Sequence, residues 1–225
     1  MRGPIVYRRL LTAAWALALL GLASLSQADA APSQAPAAPS QAPAASGAVP
    51  AIESLQDQFI EVMRSADSIG YDGRYRRLQT IVTDSFDLPF MAEKAVGRHW
   101  KKLSAEEQQR WLSSFHAMTA ATYASRFEGF SGQHFEVLGE ELAKRDTVVV
   151  RARLVDPGGE DVQLNYRMRQ RDGRWLVIDV YLNGTVSELA MRRSEYSSVL
   201  KRDGFEKLIE TIAGKTQEIA EASIN

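Results

Sequence analysis

Three histidines, His99, His116 and His134, are the first side chains to weigh for chemistry. None stands at a metal-ligand spacing from another. No cysteine is present, which excludes disulfides, thiol catalysis and thiolate metal sites together. His116 lies between Phe115 and Ala117 in a helical stretch and suits a structural or surface role. No glycine-rich phosphate loop and no nucleophile elbow occurs. Asp179 is the one acid inside an otherwise apolar run, Trp175 to Leu182. Such an aspartate can serve as a general base with a raised pKa. It can also pair with an arginine or cap backbone amides after Gly184. Arg192, Arg193 and Glu195 suit either a lipid headgroup near a cavity mouth or local ion pairs on a solvated helix face. This inventory is poor for catalysis, and no cofactor is expected from it.

The remaining lead is a set of aromatic and methionine residues: Trp100, Trp111, Phe115, Met118, Tyr123, Tyr166, Met168, Trp175 and Tyr181. Their placement depends on the elements that carry them. Leu55, Phe59, Val62 and Met63 recur at helical spacing, with order beginning near Ala51. A break at Tyr71-Asp72-Gly73 precedes a second helix from Arg74 to Phe86. Pro89 suits the first turn of a third, Leu88 to Trp100. Ser104 followed by Glu107 has the capping-box arrangement and starts a fourth helix, which runs to about Phe127.

The pattern then changes to period two. Phe135 and Val137 open a first strand. Val148, Val150, Ala152 and Leu154 alternate in a second, and Val162, Leu164, Tyr166 and Met168 in a third. A fourth spans Arg174 to Leu182. Asp156-Pro157-Gly158-Gly159 and Asp172-Gly173 are hairpin signals. Helix returns from Ser187 to Lys201, breaks at Asp203-Gly204, and resumes from Phe205 to Ala213. The expected fold class is α+β, with N-terminal helices, a curved four-stranded antiparallel sheet, and C-terminal helices. In outline this is NTF2-like or cystatin-like, a form that can enclose a lipid cavity between layers.

The chain has 225 residues and a formal net charge of −1, with no basic excess to hold nucleic acid. Residues 1–30 read as a signal peptide. Arg2, Arg8 and Arg9 precede the apolar run Leu10 to Leu25, and Ala28-Asp29-Ala30 offers a cleavage site. A retained membrane anchor is the alternative, although the run is short for a spanning helix. Cleavage would leave a net charge of −3. Residues 31–50, rich in Ala, Pro, Ser and Gln, lack the side chains to pack a core and read as a disordered linker. A single domain follows over 51–215, with 216–225 a helical or frayed tail.

The blocks Phe86-Asp87-Leu88-Pro89-Phe90-Met91 and Ala95-Val96-Gly97-Arg98-His99-Trp100 resemble those of the MlaC / toluene-tolerance family. Leu103-Ser104-Ala105-Glu106-Glu107-Gln108-Gln109-Arg110, with Phe115 and Tyr123 after it, is similar to a second family block. Trp175 through Asp179-Val180, then Gly184 and Ser187, resembles a third, and Gly204-Phe205 with Leu208-Ile209 a closing one. The family's usual Gly-Val-Ser is here Gly184-Thr185-Val186-Ser187. The run Asp179 to Ala190, with Arg192-Arg193-Ser194-Glu195-Tyr196 after it, is similar to the hopanoid-associated HpnM branch.

The resemblance implies a periplasmic, non-enzymatic lipid carrier for a hopanoid or phospholipid. It implies an inner-membrane lipid transporter as partner, with either a ring-forming lipid-binding subunit or an RND-type exporter, and an outer-membrane lipoprotein complex. Physics agrees with such a carrier: exposing a chain of about sixteen carbons to water costs on the order of 12 kcal/mol, at ~0.8 kcal/mol per methylene. The expected lining of the cavity is Val82, Phe86, Met91, Trp111, Phe115, Met118 and Tyr123 from the helices, with Val150, Leu164, Tyr166, Met168 and Val177 from the sheet. Two rival readings are a small periplasmic enzyme with Asp179 as base and a non-catalytic adaptor with a filled core.

Overall fold

The computed structural model describes residues 47–224. The signal-peptide reading and nearly all of the 31–50 segment lie outside them. Helix α1 (Ala48–Arg64) begins earlier than the composition suggests. Pro50 sits in its first turn, where a missing amide hydrogen costs nothing. Ala48 is already buried, and Gly47 leaves room for the Trp175 ring, which a Cβ would approach to 3.3 Å.

Helix α2 (Ala66–Ser85) is bent at Gly70, whose φ of 61° and ψ of −173° favour glycine. The bend therefore falls just before the expected Tyr71-Asp72-Gly73 break. Gly73 is helical instead, and its bare Cα admits Ile69, whose Cβ would be 2.5 Å from any side chain there. Helix α3 (Leu88–Val96) is capped by Asp87, which accepts from the Phe90 amide. It ends at Gly97 (φ 56°), and a 3₁₀ turn, Gly97–Lys102, replaces the rest of the expected third helix. Helix α4 (Ala105–Arg126) has its capping box in place. The Glu107 amide donates to Ser104 Oγ at 3.2 Å, and the Ser104 amide to Glu107 Oε2 at 2.7 Å.

The sheet is antiparallel in the order β1 (His134–Ala143), β2 (Thr147–Val155), β3 (Val162–Arg171), β4 (Arg174–Leu182), β5 (Val186–Ser187). The four expected strands are there, and β5 adds a fifth of two residues. It exists because Asn183 (φ 49°) and Gly184 (φ 78°) turn the chain back on β4. Helix α5 (Glu188–Ile224) then continues through the expected tail, bent at Gly204 (φ 85°, ψ −177°).

Helices cover one face of the sheet, and α3 with the start of α5 also reaches round to the other face beside β3 and β4. Helix α1 lies across β1, β2 and β4, while α4 and α5 pack on each other behind α2 and α3. The junction of α2 and α3 is stitched to β4 by the Asp87 amide donating to the Val177 carbonyl at 2.9 Å. A bulge in β4 opposite Arg167/Met168 lets both Val177 and Val180 face inward. Trp111, wholly buried, donates its indole N–H to the Ala92 carbonyl at 2.8 Å. Arg74, also buried, donates to the Ala124 carbonyl at 2.9 Å. A buried donor left without such an acceptor would cost about 1–3 kcal/mol.

Candidate functional site

Between the sheet and the helices lies a pocket of about 220 Å³. Its floor comes from alternate strand residues, Leu154, Val162, Leu164, Tyr166, Val180 and Leu182, which the pleat aims at the helices. Its roof is aromatic. Phe59 stacks on Tyr123 at 5.2 Å between ring centroids and meets Phe127 at 4.7 Å. The rim is polar, with Arg126, Asp156, Glu160, Asp161 and Asn183. An apolar chamber with a few polar groups at one side is the usual form of a small-molecule site.

At the rim, Arg126 belongs to a partly buried ion pair. Arg126 lies 2.7 Å from Glu188, the first residue of α5. Burial raises the Glu188 carboxyl, but Arg126 and Arg192 together outweigh it and hold the pKa below the ordinary value. Burial pushes the Tyr123 phenol well up, and the nearby Glu188 charge adds to that. Burial also pushes up the Tyr166 phenol, against the opposing effect of Gln56. Both phenols are neutral hydroxyls on an otherwise greasy surface.

Of the expected lining residues, Tyr123, Leu164 and Tyr166 meet in this pocket. Met168 and Val177 border a different cleft, beside Ile52 and Trp175. Val82, Phe86, Met91, Trp111, Phe115 and Val150 are buried in the packed core. Met118 is partly buried, with its sulfur 3.4 Å from Thr216 Oγ1 of α5. The pocket between the layers is small, because rings from α1 and α4 fill much of that space. Phe59, Phe127, Leu154, Val162, Val180 and Leu182 complete the apolar lining and were not among the expected residues. Strand alternation carried on from Val177 points to Asp179 and Tyr181, and only the bulge at Ile178 turns Val180 and Leu182 inward. Nothing in the sequence marks Phe59 apart from its core neighbours.

Asp179 is an anchor for α5. Ser187 donates its hydroxyl to one carboxylate oxygen at 2.6 Å, and the Leu189 amide donates to the other at 3.1 Å. Ser187 Oγ in turn accepts from the Ala190 amide at 2.9 Å. Burial raises the Asp179 pKa, with these hydrogen bonds opposing it. The amide-capping role is the one the geometry fills, so nothing here favours the general-base reading. His116 sits 2.9 Å from Thr83 Oγ1 and 3.1 Å from the Gln79 carbonyl, joining α4 to α2. Among the described residues no cluster of three or more acidic or histidine side chains could hold a metal. No described helix is long and apolar enough to cross a membrane.

A sequence model of the MlaC protein matches residues 53–214, the whole span from α1 into α5. The chain belongs to the MlaC family. A curated MlaC relative, the binding protein of the intermembrane phospholipid transport system of Haemophilus influenzae, is 25% identical over 159 residues, covering 67% of this chain and 73% of its own length. A solved phospholipid-binding protein of Ralstonia solanacearum, in complex with a phospholipid, shares the fold at a TM-score of 0.69. It covers 77% of this chain and 98% of its own, at 20% identity. Within this MlaC fold, the pocket lies where the sheet's inner face meets α1 and α4.

Proposed function

We propose that the protein is a periplasmic lipid carrier, which shuttles a membrane lipid between inner and outer membranes with the apolar part of its cargo between the sheet and the helices. The observation that carries this reading is the chamber itself. It is apolar, roofed by Phe59, Tyr123 and Phe127, and open toward a polar rim in a chain of the MlaC family. A greasy floor with a wet edge fits an amphiphile. The phospholipid named for the relatives supports a phospholipid cargo, while the Asp179 to Tyr196 run supports a hopanoid.

The chamber of about 220 Å³ is below the ~300–1,000 Å³ of pockets that take drug-sized ligands. Loading therefore requires the aromatic roof to part from the sheet. The partners that fit such a carrier are an inner-membrane transporter, with a ring-forming lipid-binding subunit or of the RND type, and an outer-membrane lipoprotein complex.

Native mass spectrometry of the purified protein tests the proposal. The expected result is a co-purified lipid, whose mass separates hopanoid from phospholipid. A lipid-free protein that also extracts nothing from vesicles overturns it.

A further inference from the structure

The opposite face of the sheet holds a second concavity, unrelated to the apolar chamber. It is a trough of about 520 Å³ where Arg167 and Arg169 of β3 meet Phe90 and Lys94 of α3 and the start of α5. A neighbouring hollow of about 630 Å³ continues along α5, and the two share Ala190 and Arg193. Gly97 makes that join possible. A Cβ there would come within 3.0 Å of Arg193 Nε, so its absence lets the guanidinium lie across the end of α3.

Charge along this surface is one-sided. The trough is lined by Lys94, Arg145, Arg167, Arg169 and Arg193, and the hollow adds Arg98, His99 and Lys201. Among the described residues Asp179 is the only carboxylate lining either, and its oxygens are taken by Ser187 and the Leu189 amide. Ser194, Ser197 and Ser198 supply further donors. In a chain with 27 basic and 28 acidic residues this is segregation, not a reflection of overall charge. Arg169 is neutralised by buried Asp87, and Lys94 pairs with Glu93. Arg167 donates to Thr147 Oγ1 and the Lys144 carbonyl, both uncharged. Arg98, Arg145, Arg193 and Lys201 make no ion pair among the described residues.

We propose that this trough docks an extended acidic segment of a partner protein. Its floor is apolar, formed by Ile178, Leu189 and Ala190, while its rim is cationic. An extended chain presents exactly two sides, so one row of side chains can meet the floor and the other the rim. Beyond that apolar floor the hollow follows α5 from Ala190 to Lys201 for roughly 16 Å at ~1.5 Å per residue, about five residues of extended chain, and offers serine hydroxyls and cations to an acidic segment. The inference stands apart from the lipid reading, because Arg167 and Asp179 point away from the face that bears Tyr166 and Val180.

The test is fluorescence anisotropy of the purified protein with a labelled ten-residue peptide in which Glu alternates with Val and Ser, and with its Lys-for-Glu counterpart. Vesicles of equal parts phosphatidylcholine and phosphatidylglycerol form a second arm, read by co-sedimentation. Two double variants, R193E/K201E and R98E/R145E, are compared with R76E on the exposed face of α2. The expected result is saturable binding of the acidic peptide alone, weakened by salt and by at least about tenfold in each double variant, with R76E unchanged. The doubles share no position, so either one decides the matter if its thermal transition matches the parent. Absence of saturable peptide binding, or full binding by a folded double variant, overturns the proposal. So does vesicle binding that these substitutions abolish while the peptide is ignored, which would give the trough to a membrane surface.

Discussion

The Arg126 guanidinium lies 2.7 Å from the Glu188 carboxylate and ties the last turn of α4 to the first residue of α5. The two side chains retain 29% and 11% exposure, so each charge depends on the other for most of what water would supply. Glu188→Gln should cost about 2–3 kcal/mol, below the ~3–5 kcal/mol of a fully buried pair because Arg126 keeps some solvent. The sign with pH follows from a carboxyl held below its ordinary value of 4.5. Its stabilising share is present above that value and is lost as pH falls through the lower, folded-state value. Urea denaturation from pH 7 to 3 should show the gap between parent and variant closing at the acid end.

Asp179 supports a prediction of the opposite sign. Its carboxyl is raised from 3.8, so its ionisation weighs against the fold as pH rises through the folded-state value. Asn keeps an acceptor for the Leu189 amide and offers a donor to Ser187 Oγ. Asp179→Asn should stay within about 1 kcal/mol of the parent at neutral pH, and Asp179→Ala should lose about 2 kcal/mol through the orphaned amide and hydroxyl. Both should retain bound lipid. Loss of lipid from a stably folded Asn variant would show that Asp179 does more than hold the start of α5.

Leu164→Trp places a large ring on the pocket floor opposite Phe59 and Tyr123. With about 220 Å³ to fill, the ring fits without displacing the Trp111 core. The variant should melt within a few degrees of the parent, since ~1 kcal/mol of packing strain shifts a domain of this size by about 2–4 °C. Co-purified lipid should fall at least about fivefold in native mass spectra.

Gly204 holds α5 in a conformation (φ 85°, ψ −177°) that a side chain resists, yet beyond the local backbone no described atom lies within 4 Å of where a Cβ would stand. Gly204→Ala therefore isolates backbone strain from crowding. The expected loss is about 1–2 kcal/mol, read from the denaturation midpoint with an unchanged slope.

Much of the fold was legible because local chemistry decided it. Ser104 and Glu107 satisfy amides that any helix start leaves open, and they do so here as the spacing foretold. The alternation of Val148 to Leu154 and Val162 to Met168 named the buried face correctly. The break was expected at Tyr71-Asp72-Gly73, whereas Gly70 makes the bend; both glycines suit a break, and Gly73 instead gives room within the helix to Ile69 four residues earlier. The Asn183-Gly184 turn was overlooked as a hairpin because only two residues pair after it. The chamber was the least legible. Phe115 fills the core and Phe127 lines a gap, and the same residue type at similar spacing serves both ends.

The extra residue at Ile178 sets the phase of all that follows it in β4. In an unbroken ladder Val177 would face in, Ile178 out, Asp179 in and Val180 out. The carboxylate would then stand among the rings of Phe59 and Tyr123, and Leu182 would desert the chamber for solvent. One stretched step in the weave thus lets neighbouring residues serve opposite surfaces: a greasy lining on one side and the footing of the last helix on the other.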